Sequence, residues 1–185
     1  MNQRPLRVRI HGREGQHVTT SARLIAAAAR RDGLTAEATP CYGREMNGAP
    51  VEANCQIGNG RNAPVSADCV DVLIIRDPAL LHFPDVVRGL DVDGHVLVRA
   101  RSLEHLGVGH LIRTLPPGHV CAVPADHNAA AALLGAFVGV TDAVTVESLI
   151  SVIREHFDDE RAETWEAAAR RAYAETARVP LSTAS

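Results

Sequence analysis

Apolar and polar residues alternate from Leu6 to Ile10, with Leu6, Val8 and Ile10 on one side and Arg7 and Arg9 on the other. That period predicts a first strand. It then changes: Val18, Ala22, Ile25 and Ala29 recur at helical spacing, which predicts a helix over Val18 to Arg31, stopped by Asp32-Gly33. Thr35 to Thr39 reads as a second strand and Pro40 to Pro50 as a long polar loop, of a length that often carries function. Val51 to Ile57 alternates weakly and is predicted as a strand closed by the turn Gly58-Asn59-Gly60. Val70 to Ile75 is nearly continuous in branched apolar residues, as a parallel strand buried on both faces should be. Arg76-Asp77-Pro78 then opens a helical region over Ala79 to Leu90, and His95 to Arg99 and Val120 to Val123 complete the predicted sheet.

From Asp126 onward the pattern is helical. Ala129 to Val138 is apolar on nearly all sides and is expected to be buried. Val146, Leu149, Ile150, Ile153 and Phe157 form an amphipathic stripe behind Thr145, a good N-cap. Ala162, Trp165, Ala169, Ala172 and Thr176 mark a last helix entered through Asp158-Asp159. Strands and helices alternate early and helices gather late. The expected architecture is an α/β fold: a three-layer domain with a mostly parallel sheet flanked by helices, spanning 1–185 as a single unit.

Composition narrows the functional classes. Of the 185 residues 46% are hydrophobic, which excludes disorder, and only 3% are aromatic, so Ala, Val, Leu and Ile must fill the core. A formal charge of −3 leaves no basic footprint, and no nucleic acid is expected as a partner. Cys41, Cys55, Cys69 and Cys121 are far apart and form none of the close-spaced pairs of zinc or iron–sulfur sites. No signal peptide is read, so reduced thiols and a cytoplasmic location are expected. The longest run without a polar side chain, Ala129 to Val140, falls short of the roughly 18–20 residues of a membrane span.

The chemistry is sparse. Nine histidines lack a companion set of carboxylates or thiols at metal-ligand spacing. Ser21 and Ser66 lie in no nucleophile elbow. Gly12 and Gly15, with Glu37 near the end of the second strand, invite a dinucleotide-binding reading, but the full fingerprint needs three glycines. The run Glu160-Arg161, Glu163, Glu166, Arg170-Arg171 reads as a solvated helix face with favourable pairs.

Two segments stand out. His11-Gly12-Arg13-Glu14-Gly15-Gln16 forms a polar turn between the first strand and the first helix, where helix-start N–H groups can meet an anion or a partner. Thirty residues on comes Thr39-Pro40-Cys41-Tyr42-Gly43-Arg44-Glu45-Met46-Asn47-Gly48. Together they resemble the gamma subunit, or gamma domain, of the pyruvate/2-oxoacid:ferredoxin oxidoreductase family, whose members carry relatives of HGRGGQG and SYGPExRGG. His11, Gly12, Arg13, Gly15 and Gln16 match the first motif, and Tyr42, Gly43, Glu45 and Gly48 the second. Asp77-Pro78, and Asn128 with the Ala-rich run after it, match further positions, so the resemblance covers most of the chain. Glu14 and His17 stand where glycine is usual, and Asn47 where arginine is.

The resemblance implies an accessory, non-catalytic gamma subunit packed against alpha, beta and delta type subunits. The complex is expected to hold thiamine diphosphate, Mg and [4Fe-4S] clusters, none bound by this chain alone. It would oxidatively decarboxylate a 2-oxoacid such as pyruvate, indolepyruvate or phenylglyoxylate to an acyl-CoA and pass electrons to ferredoxin or NAD. Gly12, Arg13, Gly15 and Gln16, with Tyr42, Gly43 and Arg44, would contact either coenzyme A or neighbouring subunits. A stand-alone α/β nucleotide-binding or regulatory module is the alternative.

Overall fold

The computed structural model describes residues 4–41, 50–58, 69–106, 120–124 and 128–177. Its strands are β1 (Leu6–Arg13), β2 (Thr35–Cys41), β3 (Pro50–Gly58), β4 (Val70–Ile75), β5 (Leu90–Arg99) and β6 (Val120–Val123). They form one sheet in the order β2-β3-β1-β4-β5-β6. From β1 through β4 and β5 to β6 the pairing is parallel, whereas β3 runs antiparallel to both its neighbours, β1 and β2. The α-helices among the described residues are α1 (Val18–Arg31), α2 (Ala129–Thr141), α3 (Val146–His156) and α4 (Asp159–Thr176).

One face of the sheet carries the helices. Val8, Ile10, Ala53, Cys55, Val72, Ile74 and Leu97 share a core with all four. The other face is apolar over β4, β5 and β6, where Leu73, Ile75, Val96 and Val98 pack under Leu80, Leu81 and Val86. Burial on both faces explains the nearly continuous apolar run of β4, broken only by Asp71 near its start.

The helix boundaries follow local chemistry. α1 ends in two bonds of a Schellman motif, from the N–H of Leu34 to the Ala29 carbonyl (2.9 Å) and from Gly33 to Arg30 (3.1 Å). Asn128, Thr145 and Asp158 each cap a helix by accepting the N–H three residues on. α2 lies directly on α4: a Cβ at Gly135 would sit 2.0 Å from the carbonyl oxygen of Ala169, so only glycine permits this approach.

Several expectations are corrected. β1 runs three residues beyond Ile10, because β3 offers partners at Val51 for Gly12 and at Pro50 for Arg13. His11, Gly12 and Arg13 are therefore strand residues, and the turn is confined to Glu14, Gly15 and Gln16. β2 likewise extends to Cys41, with Pro40 tolerated because β2 is an edge strand. The helix expected over Ala79 to Leu90 is instead two 3-10 turns, Pro78–His82 and Pro84–Val87, and Leu90 opens β5. Pro84 lacks an N–H and biases Phe83 away from helical angles, and Phe83 is extended at φ −99°, ψ 116°.

Candidate functional site

The parallel strands β1 and β4 end side by side, and the β1–α1 turn leaves from that rim. Arg76 N–H donates to the His11 carbonyl at 2.8 Å, which carries the β1–β4 pairing one step past Ile75. Gly12 sits at the tightest point. A Cβ there would stand 2.6 Å from Val18 Cγ2 and 3.1 Å from Arg76 Cβ, so the glycine lets strand, helix and Arg76 close on one another.

Arg13 and Gln16 hold the turn. Gln16 Oε1 accepts the Arg13 N–H at 2.8 Å, and the Gln16 N–H returns to the Arg13 carbonyl at 3.1 Å. The Arg13 guanidinium pairs with the Asp77 carboxylate. The other Asp77 oxygen accepts the N–H of Ala79 at 3.0 Å and caps the first 3-10 turn. Gly15 adopts φ +78° at the exposed tip beside Glu14. His17 follows in a left-handed conformation (φ 57°); its side chain does not cap α1, while its carbonyl accepts the Ser21 N–H at 2.9 Å. The His17 ring stands edge-on to Trp165, with centroids 5.5 Å apart. Burial, reinforced by Arg76, Arg161 and His156, lowers its pKa.

The residues on the second face of β1 are polar and buried. Arg9 Nη1 donates to the Arg88 carbonyl at 2.8 Å, and its Nε lies 3.6 Å from Glu52. His11 Nε2 lies 3.9 Å from Glu52, too far for a hydrogen bond. Burial lowers the His11 pKa despite the nearby Glu52 carboxylate, with Arg9 pushing the same way, so the ring is neutral at neutral pH. His11 is thus part of the sheet's packing rather than of the turn.

The second motif meets the first only in part. Tyr42, Gly43, Arg44, Glu45 and Gly48 lie outside the described residues. The strands that carry this segment end at Cys41 and begin again at Pro50, and Pro50 is the partner of Arg13. Both motifs therefore leave the sheet at the same end, a consequence of β3 pairing antiparallel to β1.

Arg76 is a residue that the motif reading passed over. It is 7% exposed, and its Nε and Nη1 atoms have no hydrogen-bond partner among the described residues. Its sequence signal was present, since Arg76 follows directly on the strongest apolar strand, but a charged residue after a strand is ordinarily solvated.

At the opposite end of the sheet Cys69, Asp71 and Asp91 place ligand atoms within 4.8 Å of one another. Arg4 occupies that cluster, donating to Cys69 Sγ at 3.0 Å and to Asp91 at 3.1 Å and pairing with Asp71. The group is an ion cluster at the surface, already paired with Arg4.

The family model described as pyruvate ferredoxin/flavodoxin oxidoreductase matches residues 7–175. Pyruvate synthase subunit PorC of Methanothermobacter thermautotrophicus is 34% identical over 175 residues, covering 92% of this chain and 95% of that protein. The common gamma subunit of the pyruvate/ketoisovalerate oxidoreductases of Pyrococcus furiosus is 33% identical over 184 residues, covering 92% and 97%. Among solved structures, the pyruvate oxidoreductase subunit PORC of Thermotoga maritima superposes with a TM-score of 0.76 at 28% identity, covering 93% of this chain and 97% of that one.

Proposed function

This chain belongs to the pyruvate ferredoxin/flavodoxin oxidoreductase family, and from that membership we propose that it is the gamma-type accessory subunit of a 2-oxoacid oxidoreductase complex. The observation that carries this reading is the end-to-end correspondence with separate gamma chains, 92% of this chain against 95% and 97% of two relatives. A stand-alone module has no such support. The whole complex would hold thiamine diphosphate, Mg and [4Fe-4S] clusters on its alpha, beta and delta type chains. It would oxidise a 2-oxoacid to an acyl-CoA, with ferredoxin or an NAD-reducing chain downstream.

Within that complex the first loop is best read as a contact with a neighbouring subunit. Arg13 is already paired with Asp77, and Gln16 closes the turn on the Arg13 backbone. The Asp77 carboxylate already balances the Arg13 charge, which weakens its pull on a coenzyme A phosphate. The corner is fixed from within, and Gly12 lets it sit close to α1 while Glu14 and Gly15 face outward. The strand ends that flank the second motif, Cys41 and Pro50, lie at the same rim, and the reading assigns Tyr42-Gly43-Arg44 to the same contact.

An affinity-tagged copy in the native host should bring down larger chains that carry thiamine diphosphate and iron. Recovery as a lone monomer under gentle anaerobic conditions would overturn the assignment. Arg13→Ala should weaken that co-purification and leave the remaining complex with wild-type dependence on coenzyme A. Normal assembly with a raised Michaelis constant for coenzyme A would instead place Arg13 on the ligand.

A further inference from the structure

The helix side of the sheet rim holds a buried cation that pairs with no carboxylate among the described residues. Arg76 is 7% exposed, and its Nε and Nη1 lie buried without a hydrogen-bond partner among those residues. Burial, helped by the repulsion of Arg99, lowers its pKa to about 10, so the guanidinium is still charged at neutral pH. A buried charge left in this state is destabilising, and such groups are ordinarily paired. Arg13, by contrast, has Asp77, and Arg9 has the Arg88 carbonyl.

Arg76 lines an open cleft of about 620 Å³ between the start of α2 and the start of α4. Ala129 and Ala130 line it as well. They belong to the first turn of α2, where N–H groups have no helical acceptor and the helix dipole is positive. Asn128 satisfies only the next N–H, that of Ala131, at 3.3 Å. Arg161 adds a second cation from α4. Asp158 and Glu160 oppose it on that side, but Asp158 is committed to capping α4 through the Arg161 N–H at 3.0 Å. Arg76, Arg161 and the first turn of α2 thus line the same cleft.

We propose that this cleft binds the phosphate group of a small soluble ligand, with the Arg76 guanidinium and the first-turn N–H groups of α2 as its donors. Donors approaching from a side chain and from a helix end suit a tetrahedral oxyanion, and the cleft is larger than one buried side chain and open to solvent. The site does not rest on the role of the first loop. Arg76 follows Ile74 by two residues and so faces the helix side, whereas Arg13 shares the opposite face with His11.

The test is calorimetric titration of the purified full chain with inorganic phosphate, paired with thermal unfolding in phosphate and in a phosphate-free buffer. Saturable binding and a phosphate-dependent rise in Tm are expected. Arg76→Met should weaken binding by at least about tenfold and abolish that rise, the loss expected for charge-assisted hydrogen bonds. In phosphate-free buffer this variant should be no less stable than the parent, because it removes an unpaired buried charge at similar volume. If it cannot be purified, Arg76→Lys provides the comparison, since it keeps the charge without the planar fork and should bind more weakly. No saturable binding by the parent, a phosphate-dependent rise that survives Arg76→Met, or an Arg76→Lys variant of unchanged affinity would each overturn the proposal. So would acetate binding as tightly as phosphate, which would make the site one for a carboxylate.

Discussion

Gly12 has neighbours on three sides: a Cβ there would be 2.6 Å from Val18 Cγ2, 2.9 Å from Gln16 Oε1 and 3.1 Å from Arg76 Cβ. Val18 and Arg76 are anchored by helix and strand backbone, so neither can step aside without moving an element. Gly12→Ala is therefore expected to cost about 1–3 kcal/mol, the range for overpacking a filled interior. Urea denaturation would measure it, and an unchanged midpoint would mean that α1 has room to shift. The motif identified this glycine in the sequence, but not its reason. Its role is steric, since its neighbours come from three separate segments, and the positive backbone angle belongs to Gly15 instead.

Asp32 shows how elements are tied together. Its carboxylate at the end of α1 accepts the Thr145 N–H at 2.6 Å and the Thr145 hydroxyl at 2.9 Å, together with the Ser148 hydroxyl, and so clamps the start of α3. Burial alone would raise its pKa, but the Ser148 and Thr145 hydrogen bonds outweigh it and hold the group below its ordinary value of 3.8. A carboxylate whose folded pKa is depressed contributes its stability above the unfolded pKa and loses it as pH falls through the folded one. Asp32→Asn is thus expected to cost about 1 kcal/mol at neutral pH, a modest figure because the site is partly solvated. Below pH 3.8 the gap between parent and variant should narrow as the parent's carboxyl protonates. Urea midpoints across pH would measure this, and a gap independent of pH would show that the charge is immaterial. The helix-stop role of Asp32-Gly33 and the cap role of Thr145 were both legible locally, but their meeting was not. The helix expected over Ala79 to Leu90 gives way to two 3-10 turns because Pro84 lacks the N–H that a continuous helix needs.

For the whole molecule, the mixed sheet gathers its two motif-bearing rims at one end and leaves Cys55, Cys69 and Cys121 as free thiols. The Cys55 thiol is buried, and its pKa is pushed up to about 12, which makes it a poor metal ligand or nucleophile. Among the described residues the one group that could hold a metal contains a single cysteine, and Arg4 already occupies it. A [4Fe-4S] cluster takes four thiolates. The chain purified alone under anaerobic conditions should therefore carry no stoichiometric iron and no cluster absorption band. Iron at cluster stoichiometry would reverse that expectation and give this subunit a redox role. No helix among the described residues is long and apolar enough to cross a membrane.

The sequence by itself determined whatever depends on near neighbours. The α1 span from Val18 to Arg31, the caps at Thr145 and Asp158, and the buried strand Val70 to Ile75 all follow from periodicity and capping chemistry within a few residues. Two short motifs also carried the family, because their glycines and polar residues sit at fixed spacing. Tertiary structure alone decided which strand lies beside which. The insertion of β3 between β2 and β1 lengthened β1 past His11 and turned half of the first motif into strand. It also decided the partners of charged groups, since Arg13 meets Asp77 across 64 residues and Asp32 meets Thr145 across 113. The same packing closed over Arg76 and left its Nε and Nη1 without a hydrogen-bond partner among the described residues. Such pairings depend on desolvation and on distances fixed only when distant segments pack, and no local pattern in the chain encodes them.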